Sequence, residues 1–460
     1  MLIPELWSRE SIAVLEENLV MGALVHRDFS DQIAEFGDVV NTRKPADMSI
    51  RRKTDSDTVQ YNDAVLNNVQ VPLNQHFYAG FVIKDGERSK SMQDLIAIHL
   101  EPAMKAMGNG IDRAILGRLA HSLIGGPDDR VGRLTALSST NAKDTVLEAR
   151  ERLNRNLAFT SGRRLVLAPG SETSMLQTEL FISAEKRGDA GTALEEARLG
   201  RILGFDTFMD QNVNGVMAGS AKGRDVTSGV TSGAIDPGET GTLTEVDLTS
   251  FVVSAGEYVI LGGNDQPTWA TNVTDAAGDT TAVTLNEAIK FAVSSGASIT
   301  VYNHAEAGAA YPAGYTKAIV VDTHAAGKNL AVGQLVSFGN TLGTRHTYTV
   351  IEVEASTSTT STVLLDRPLD TNVADGDEVY PGPAGDFNVA FNRDAVALVT
   401  RPLARPDSTM GARSFVASHN DIAMRATMQY DIDAQGTKVV LDLLAGIAVL
   451  DSNLATLLLG

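Results

Sequence analysis

The sequence predicts an α+β protein that carries an all-β, barrel-like domain inserted in its second half, and three observations predict it. Composition changes sharply near residue 220: Met175, Met209 and Met217 are followed by no methionine until Met410, while Thr, Ser, Gly, Val and Asp take over. The same stretch repeats, because "TAVTLNEAIKFAVSSGASI" from Thr281 aligns with "STVLLDRPLDTNVADGDEV" from Ser361 at a constant offset of 80, setting Val283 on Val363, Leu285 on Leu365, Ile289 on Leu369, Val293 on Val373 and Gly296 on Gly376. Alternating apolar positions between Gly, Asp and Asn turns mark these segments as antiparallel strands. Two repeats are too few for a solenoid, so a small pseudo-symmetric barrel or sandwich is expected. Helical periodicity dominates the other side of the composition change, where Ile96, Leu100, Ala103, Met107, Ile111, Ala114, Ile115 and Leu119 fall on one face.

The elements follow in order. The opening "MLIPELWSRESIAVLEENLV" is an amphipathic helix with Ile12, Leu15, Leu19 and Ala23 at helical spacing, and it lacks the basic start of a signal peptide. Residues 38–90 alternate as strands around the charged centre "RKPADMSIRRKTDSD", a pattern that suits a projecting hairpin more than core. A long helix follows, in which Pro102, Gly108, Gly110 and Gly117 predict bending or thinning. A second helix, "NAKDTVLEARERLNRNLA", places Val146, Leu147, Leu153 and Leu157 on one side, with Asn141 and Asp144 as capping residues. "LGRILGFDTFMDQNV", from Leu199, reads as a helix end turning into a strand. Beyond the acidic insertion, "NDIAMRATMQYDID" alternates strictly, and "KVVLDLLAGIAVL" is a covered strand or short helix.

Charge narrows the function classes. The 460 residues carry a formal net charge of −19, and residues 225–386 alone hold 20 acidic against 5 basic side chains. Specific nucleic-acid binding through a basic groove is disfavoured, because phosphate contacts dominate that affinity. The absence of cysteine removes disulfides, thiolate zinc sites and cysteine nucleophiles. No uninterrupted apolar run approaches the roughly 20 residues of a membrane-spanning helix.

Motifs that carry chemistry are weak. The eight histidines are scattered, with no pair one helical turn apart as a metal site requires. "DGDE", Asp375 to Glu378, has "SGAS" as its counterpart in the other repeat, so the turn forms without carboxylates and reads as solvated rather than as a calcium loop. "GNGIDRAILG" from Gly108 lies inside the long helix and lacks the ending of a phosphate loop. "APGSETS" around Ser171 reads as a helix start after the strand "RRLVLAP", not as a nucleophile elbow. No catalytic, cofactor-binding or metal-binding residue is therefore assigned. The remaining candidates are Arg43, Lys44, Arg51, Arg52 and Lys53, a basic cluster without interleaved aromatics for base stacking. A solvated loop and contact with an acidic neighbouring subunit both fit it, and the subunit contact is preferred because a basic projection complements an otherwise acidic chain.

An N-terminal helical arm, a long charged extended loop, a long helix, an α/β layer and a late return to alternating strands together resemble the major capsid proteins of tailed bacteriophages. Those proteins share the Hong Kong 97-type (HK-97-like) fold, with N-arm, E-loop, spine helix, P-domain and A-domain. "LGRILGFDTFMDQNV" resembles the family's run into the A-domain, "FNRDAVALVTRPL" its returning strand, and "MQYDIDAQGTKVVLDLLAGIAVL" its closing segment. The coat-protein branch of the Salmonella phage P-22 carries a β-barrel insertion domain within the A-domain, and "LAVGQLVSFGN" and "HTYTVIEVE" resemble its strands. The resemblance implies N-arm 1–37, E-loop 38–90, spine helix, P-domain and first part of the A-domain 91–224, insertion domain 225–386, and returning strands 387–460.

It further implies a non-enzymatic coat protein that self-assembles, as hexamers and pentamers, into an icosahedral head enclosing double-stranded DNA with only weak non-specific contact. No long helical segment precedes the arm, which implies a separate scaffolding protein; a portal protein is a further partner and no membrane is involved. The expected location is the virion capsid, assembled in the bacterial host cytoplasm. Asp206 is then a turn residue of a scaffold. Two other readings remain at this point: a surface or secreted β-rich adhesin or binding module, suggested by the Thr/Ser/Gly-rich acidic repeats, and an α/β hydrolase with a β insertion, for which no nucleophile and base are found.

Overall fold

The computed structural model describes residues 4–460 except 28–37, 45–51, 53–66, 88–94, 125–129, 135–136, 139, 184–196, 198, 214, 217–225, 247, 249–251, 265, 277–278, 303, 324–328, 339–345, 383–384 and 407–410. The chain is mixed α+β with many strands and divides into two units. The first holds Met1–Val14, His26–Ala103 and Val396–Leu450; the second holds Leu15–Val25, Met104–Ala395 and Asp451–Gly460.

The first unit is built on a five-stranded antiparallel sheet whose long strand Gly436–Val449 pairs with Val396–Arg401, Ile422–Asp431 and Gln75–Lys84. The strict alternation of 422–431 is realised: Ile422, Met424, Ala426 and Met428 are buried, whereas Tyr430 emerges to 48% exposure at the strand's end. Residues 75–84, read in the sequence within a projecting segment, instead pair over ten positions with Gly436–Ala445. Their apolar members, of which Ile83 is fully buried, hold them in the sheet. Among the described residues, the hairpin strands are Val39–Lys44 and Asn67–Pro72. Gly446 lets it approach, since a Cβ there would meet the Pro72 carbonyl oxygen at 2.7 Å. Trp7 of the helix Pro4–Asn18 is fully buried with its ring 5.8 Å from Phe81, and Phe81 stacks on His99 at 5.5 Å.

The second unit contains most of the long helix. One π-helical turn, Ile96–Leu100, precedes the α-helix Glu101–Ile124. Pro102 has no N–H with which to close an α-turn, and the wider turn before it accommodates that loss. The α-helical part is about 36 Å long at 1.5 Å per residue. Met104, Ile111, Ala114, Ile115, Leu116, Leu119, Ala120 and Leu123 are all buried, so the helix is covered on most sides rather than amphipathic. The same unit holds a seven-stranded sheet in which Gly385–Asn392 sits between Ala455–Leu459 and Arg163–Leu167. The helix Ala142–Arg155 packs Val146, Ala149 and Leu153 into a core shared with Leu165, Leu167 and Leu458.

Residues 226–381 resolve the internal repeat in a form the sequence did not anticipate. The repeat is two successive six-stranded modules, not the two halves of one pseudo-symmetric barrel. The first runs Val226–Val230, Thr242–Leu243, Tyr258–Leu261, Thr268–Ala276, Asp279–Leu285 and Ser298–Tyr302; the second runs Ala305–Ala307, Ile319–Asp322, Leu335–Phe338, His346–Ser356, Thr360–Leu365 and Glu378–Pro381. Numbered within each module, both have the strand order 2-5-4-3-6-1, and the second closes into a barrel by pairing its strands 1 and 2. Local devices repeat as well. Gly256 and Gly333 both have positive φ and donate N–H bonds of 2.7 Å to the carbonyls of Ala270 and Val350, and Asn286 Oδ1 and Asp366 Oδ1 accept from the amides of Trp269 and Thr349. Each module has its own core, around Val259, Val283 and Ile299 in the first and Val336, Val350 and Val363 in the second.

Candidate functional site

Ser171 and Asp206 are the positions at which the sequence invites a catalytic reading, and both have structural partners. Ser171 is buried at the start of the helix Pro169–Leu176, where Pro169 suits the first turn. Its hydroxyl donates to Asp386 Oδ2 at 3.2 Å and accepts from Asn388 Nδ2 at 2.9 Å, while Asn388 Oδ1 accepts the Ala168 amide at 2.7 Å. Burial raises the Asp386 carboxyl above its ordinary range, and the Ser171 bond opposes that rise. These bonds tie the helix start to the strand Gly385–Asn392 and supply no imidazole to activate the hydroxyl. Asp206 lies on the strand Phe205–Met209, two residues beyond the turn Leu203–Gly204, whose φ angles are +48° and +94°. The segment before the turn is the short strand Arg201–Ile202, not the helix end that the sequence suggested. Asp206 is half-exposed and faces Arg201 at 3.8 Å, a surface pair of little energetic weight. Among the described residues no group of three or more His, Asp or Glu side chains is placed to hold a metal ion, and no helix is long and apolar enough to cross a membrane.

Of the basic cluster, Arg43 and Lys44 lie on the hairpin strand, opposite Asn68 and Asn67. Arg52 is exposed, and Arg51 and Lys53 lie outside the described residues. Val39–Lys44 is extended because it pairs with Asn67–Pro72, so these residues need little apolar burial of their own.

Two buried polar sites went unread in the sequence. Asp112, on the long helix, is fully buried; its Oδ2 accepts the Val20 amide and its Oδ1 the Gly22 amide, both at 2.9 Å. One carboxylate thus fastens the turn before and within Met21–Leu24 to the helix. Burial, with the nearby charge of Asp210, pushes the Asp112 carboxyl up to about 7 from its ordinary 3.8, against the pull of the amides. Asp210 is itself raised by burial, opposed by bonds from Asn212 and the charge of Arg113, and its Oδ2 has no hydrogen-bond partner. The signal was present as an acid among apolar neighbours, "GIDRAIL", but periodicity alone does not say what a buried acid meets.

The second site joins the closed module to the long helix. Arg367 is buried, donating to Asp366 Oδ2 at 3.0 Å, Asp370 Oδ2 at 3.2 Å and the Thr347 carbonyl at 2.8 Å, with its guanidinium 4.2 Å from the Tyr348 ring centroid. Burial raises the Asp366 carboxyl, and Arg367 pulls it back towards the charged form. Beside this network, Gly117 of the helix meets Thr349: a Cβ at 117 would stand 2.8 Å from Thr349 Cβ. These groups fix positions and offer no nucleophile, so the chemistry of both sites is attachment.

No family model matches the chain, and no curated protein matches it. Among solved structures, the chain is similar to the capsid structure of the cyanophage P-SCSP1u, at 11% identity over 96% of this chain and 88% of that one, with a TM-score of 0.42. It is similar to the capsid structure of Staphylococcus phage Andhra at 8% identity over 95% and 84%, with a TM-score of 0.40. The mature capsid of bacteriophage PhiM1 matches at 9% identity over 96% and 87%, with a TM-score of 0.39. At these identities and scores the likeness carries no weight for function.

Proposed function

We propose that the chain is the major capsid protein of a tailed double-stranded DNA bacteriophage, with an HK-97-like fold of the P-22 coat-protein branch. The observation that carries this reading is the order of parts along one chain. An arm helix is followed by a two-stranded hairpin with basic residues, a long buried helix, and a seven-stranded sheet whose strands at 215–216 and 385–386 flank two β-modules. In this reading 1–37 is the N-arm, 38–90 contains the E-loop, 91–224 the spine helix, P-domain and first part of the A-domain, 225–386 the insertion domain, and 387–460 the returning strands.

Function is then repeated association rather than catalysis. Copies close as hexamers and pentamers into an icosahedral shell, and closure multiplies contacts that are individually modest. The basic residues Arg43, Lys44, Arg51, Arg52 and Lys53 reach an acidic neighbour, a separate scaffolding protein guides assembly in the host cytoplasm, a portal protein joins one vertex, and packaged DNA meets the shell only weakly. Negative-stain electron microscopy of the purified chain, alone and co-expressed with a candidate scaffolding protein, tests the reading. Shells or shell fragments tens of nanometres across are expected; small discrete particles under both conditions overturn it.

A further inference from the structure

The chain passes from the first β-module to the second between Tyr302 and Ala305, and His304 lies in that crossing. Its partner is Glu257 of the first module, a carboxylate only 2% exposed. Glu257 Oε1 accepts the His304 amide at 3.2 Å and stands 2.8 Å from His304 Nδ1, while Oε2 accepts the Ser254 amide at 2.9 Å. An ionised carboxylate can only accept, so Nδ1 carries a proton in either charge state of the ring. The second module meets the same place through its last strand. The Tyr380 hydroxyl sits between the Ala255 carbonyl, at 3.1 Å, and Glu378 Oε2, and the Tyr380 ring stands edge-on to the imidazole at 6.2 Å. Gly256 makes the approach possible, since a Cβ there would stand 2.6 Å from Tyr380 Cζ.

The repeat itself shows what the carboxylate is for. In the second module Gln334 takes the place of Glu257, and its Oε1 accepts the Ala331 amide at 3.2 Å as Glu257 Oε2 accepts that of Ser254. The carbonyls of Glu257 and Gln334 accept the amides of Ala270 and Val350, both at 2.9 Å. The turn therefore closes on a neutral amide as well as on a carboxylate, and the charge at 257 is not needed for it. A buried carboxylate needs a partner, and the one it has here is a side chain that ordinarily changes charge between about pH 5 and 8. Protonation turns the bond at Nδ1 into an ion pair. The ring is 14% exposed and loses hydration on charging, but the carboxylate at 2.8 Å offsets that loss. On the second module, Tyr380 and, beyond its hydroxyl, Glu378 are set against the ring, and neither brings a competing positive charge. We infer that Glu257 and His304 form a proton-operated latch between the two modules, closed while the imidazole is charged and slackened as pH rises and it becomes neutral.

The test uses the full chain, which has no cysteine, so an engineered pair of thiols can be spin-labelled alone. Ala276→Cys and Ser358→Cys place the labels on exposed ends of the long hairpins, one in each module. Pulsed electron paramagnetic resonance at pH 5 and pH 8 is expected to give a narrow distribution of label distances in acid and a broad one in base. The His304 amide, which Glu257 also holds, is expected to be about tenfold less protected from hydrogen exchange at pH 8 than at pH 5 once the intrinsic rates are divided out. Glu257→Gln copies the residue at 334, so it is expected to keep the turn and to give the broad distribution at both pH values, as is His304→Ala. A wild-type distribution of one width at both pH values overturns the inference, and so does a pH response that persists in both variants. Neither result bears on the capsid reading, because the latch lies within one chain.

Discussion

Replacing Asp112 by Asn is expected to flatten the pH dependence of the second unit's stability. The wild-type carboxyl sits at about 7 in the folded chain and near 3.8 when unfolded. The folded state therefore binds more protons than the unfolded state between those values, and stability falls as pH rises through them. The gap, at about 1.4 kcal/mol per pH unit, sets an upper value of about 4 kcal/mol, fully retained below pH 4 and lost above 7. Between pH 5 and 7 the wild-type chain should lose about 2 kcal/mol relative to Asp112→Asn. The variant is expected to be weaker at acidic pH by about 1–3 kcal/mol, since Asn sets an amide against one of the two backbone N–H donors. Urea unfolding by circular dichroism at both pH values, with hydrogen exchange read at the Val20 and Gly22 amides, measures the difference. Parallel pH profiles for the two chains would refute the reasoning, and Asp210→Asn should reduce the wild-type slope because it removes the neighbouring negative charge.

Other outcomes follow from the same geometry. In the first unit, Arg425 grips buried Asp442 with bonds of 2.9 and 2.5 Å, and His76 stands 3.5 Å away. Although burial alone raises Asp442, the bonds from His76 and Arg425 win and lower it, so their stabilisation is present above the ordinary carboxylate range and lost as pH falls below it. Arg425→Met should cost about 3–5 kcal/mol at pH 7, seen as a lower urea midpoint, by leaving the carboxylate buried with only a weak partner. Gly117→Ala should destabilise the chain in thermal unfolding despite the better helix propensity of alanine, and Thr349→Ala should restore most of the loss in a double-mutant cycle. Charge reversal of Arg51, Arg52 and Lys53 together should slow assembly measured by light scattering; an unchanged rate would make this stretch a solvated loop.

What was legible in the sequence was what repeats at short range. Strand 422–431 and the turns of 226–381 follow from alternation and glycine placement, and the offset of 80 appears as matched hydrogen bonds in the two modules. The number of modules was not legible, because strand pairing joins residues far apart and the same alternation suits one barrel or two. Residues 75–84 were misplaced for a related reason, since their partner strand lies about 350 residues later and the polar stretch before them dominated the local pattern. Asp112 and Arg367 were missed because a charged letter gives no notice of the amides or carboxylates that wait for it in the fold. The exposed Leu157 was read as part of a helix's apolar face, and only the backbone turn at the helix end carries it outward.

The two-residue pairing of Gly215–Val216 with Gly385–Asp386 has a consequence for how such a chain changes over generations. In each module the first and last strands are neighbours, so a module starts and finishes at nearly the same place. Adding or removing one module whole changes the chain by roughly 80 residues and leaves the two ends of the remaining module side by side. Length here is a quantity that duplication can alter in discrete steps, as beads on a clasped string, while the clasp stays where it was.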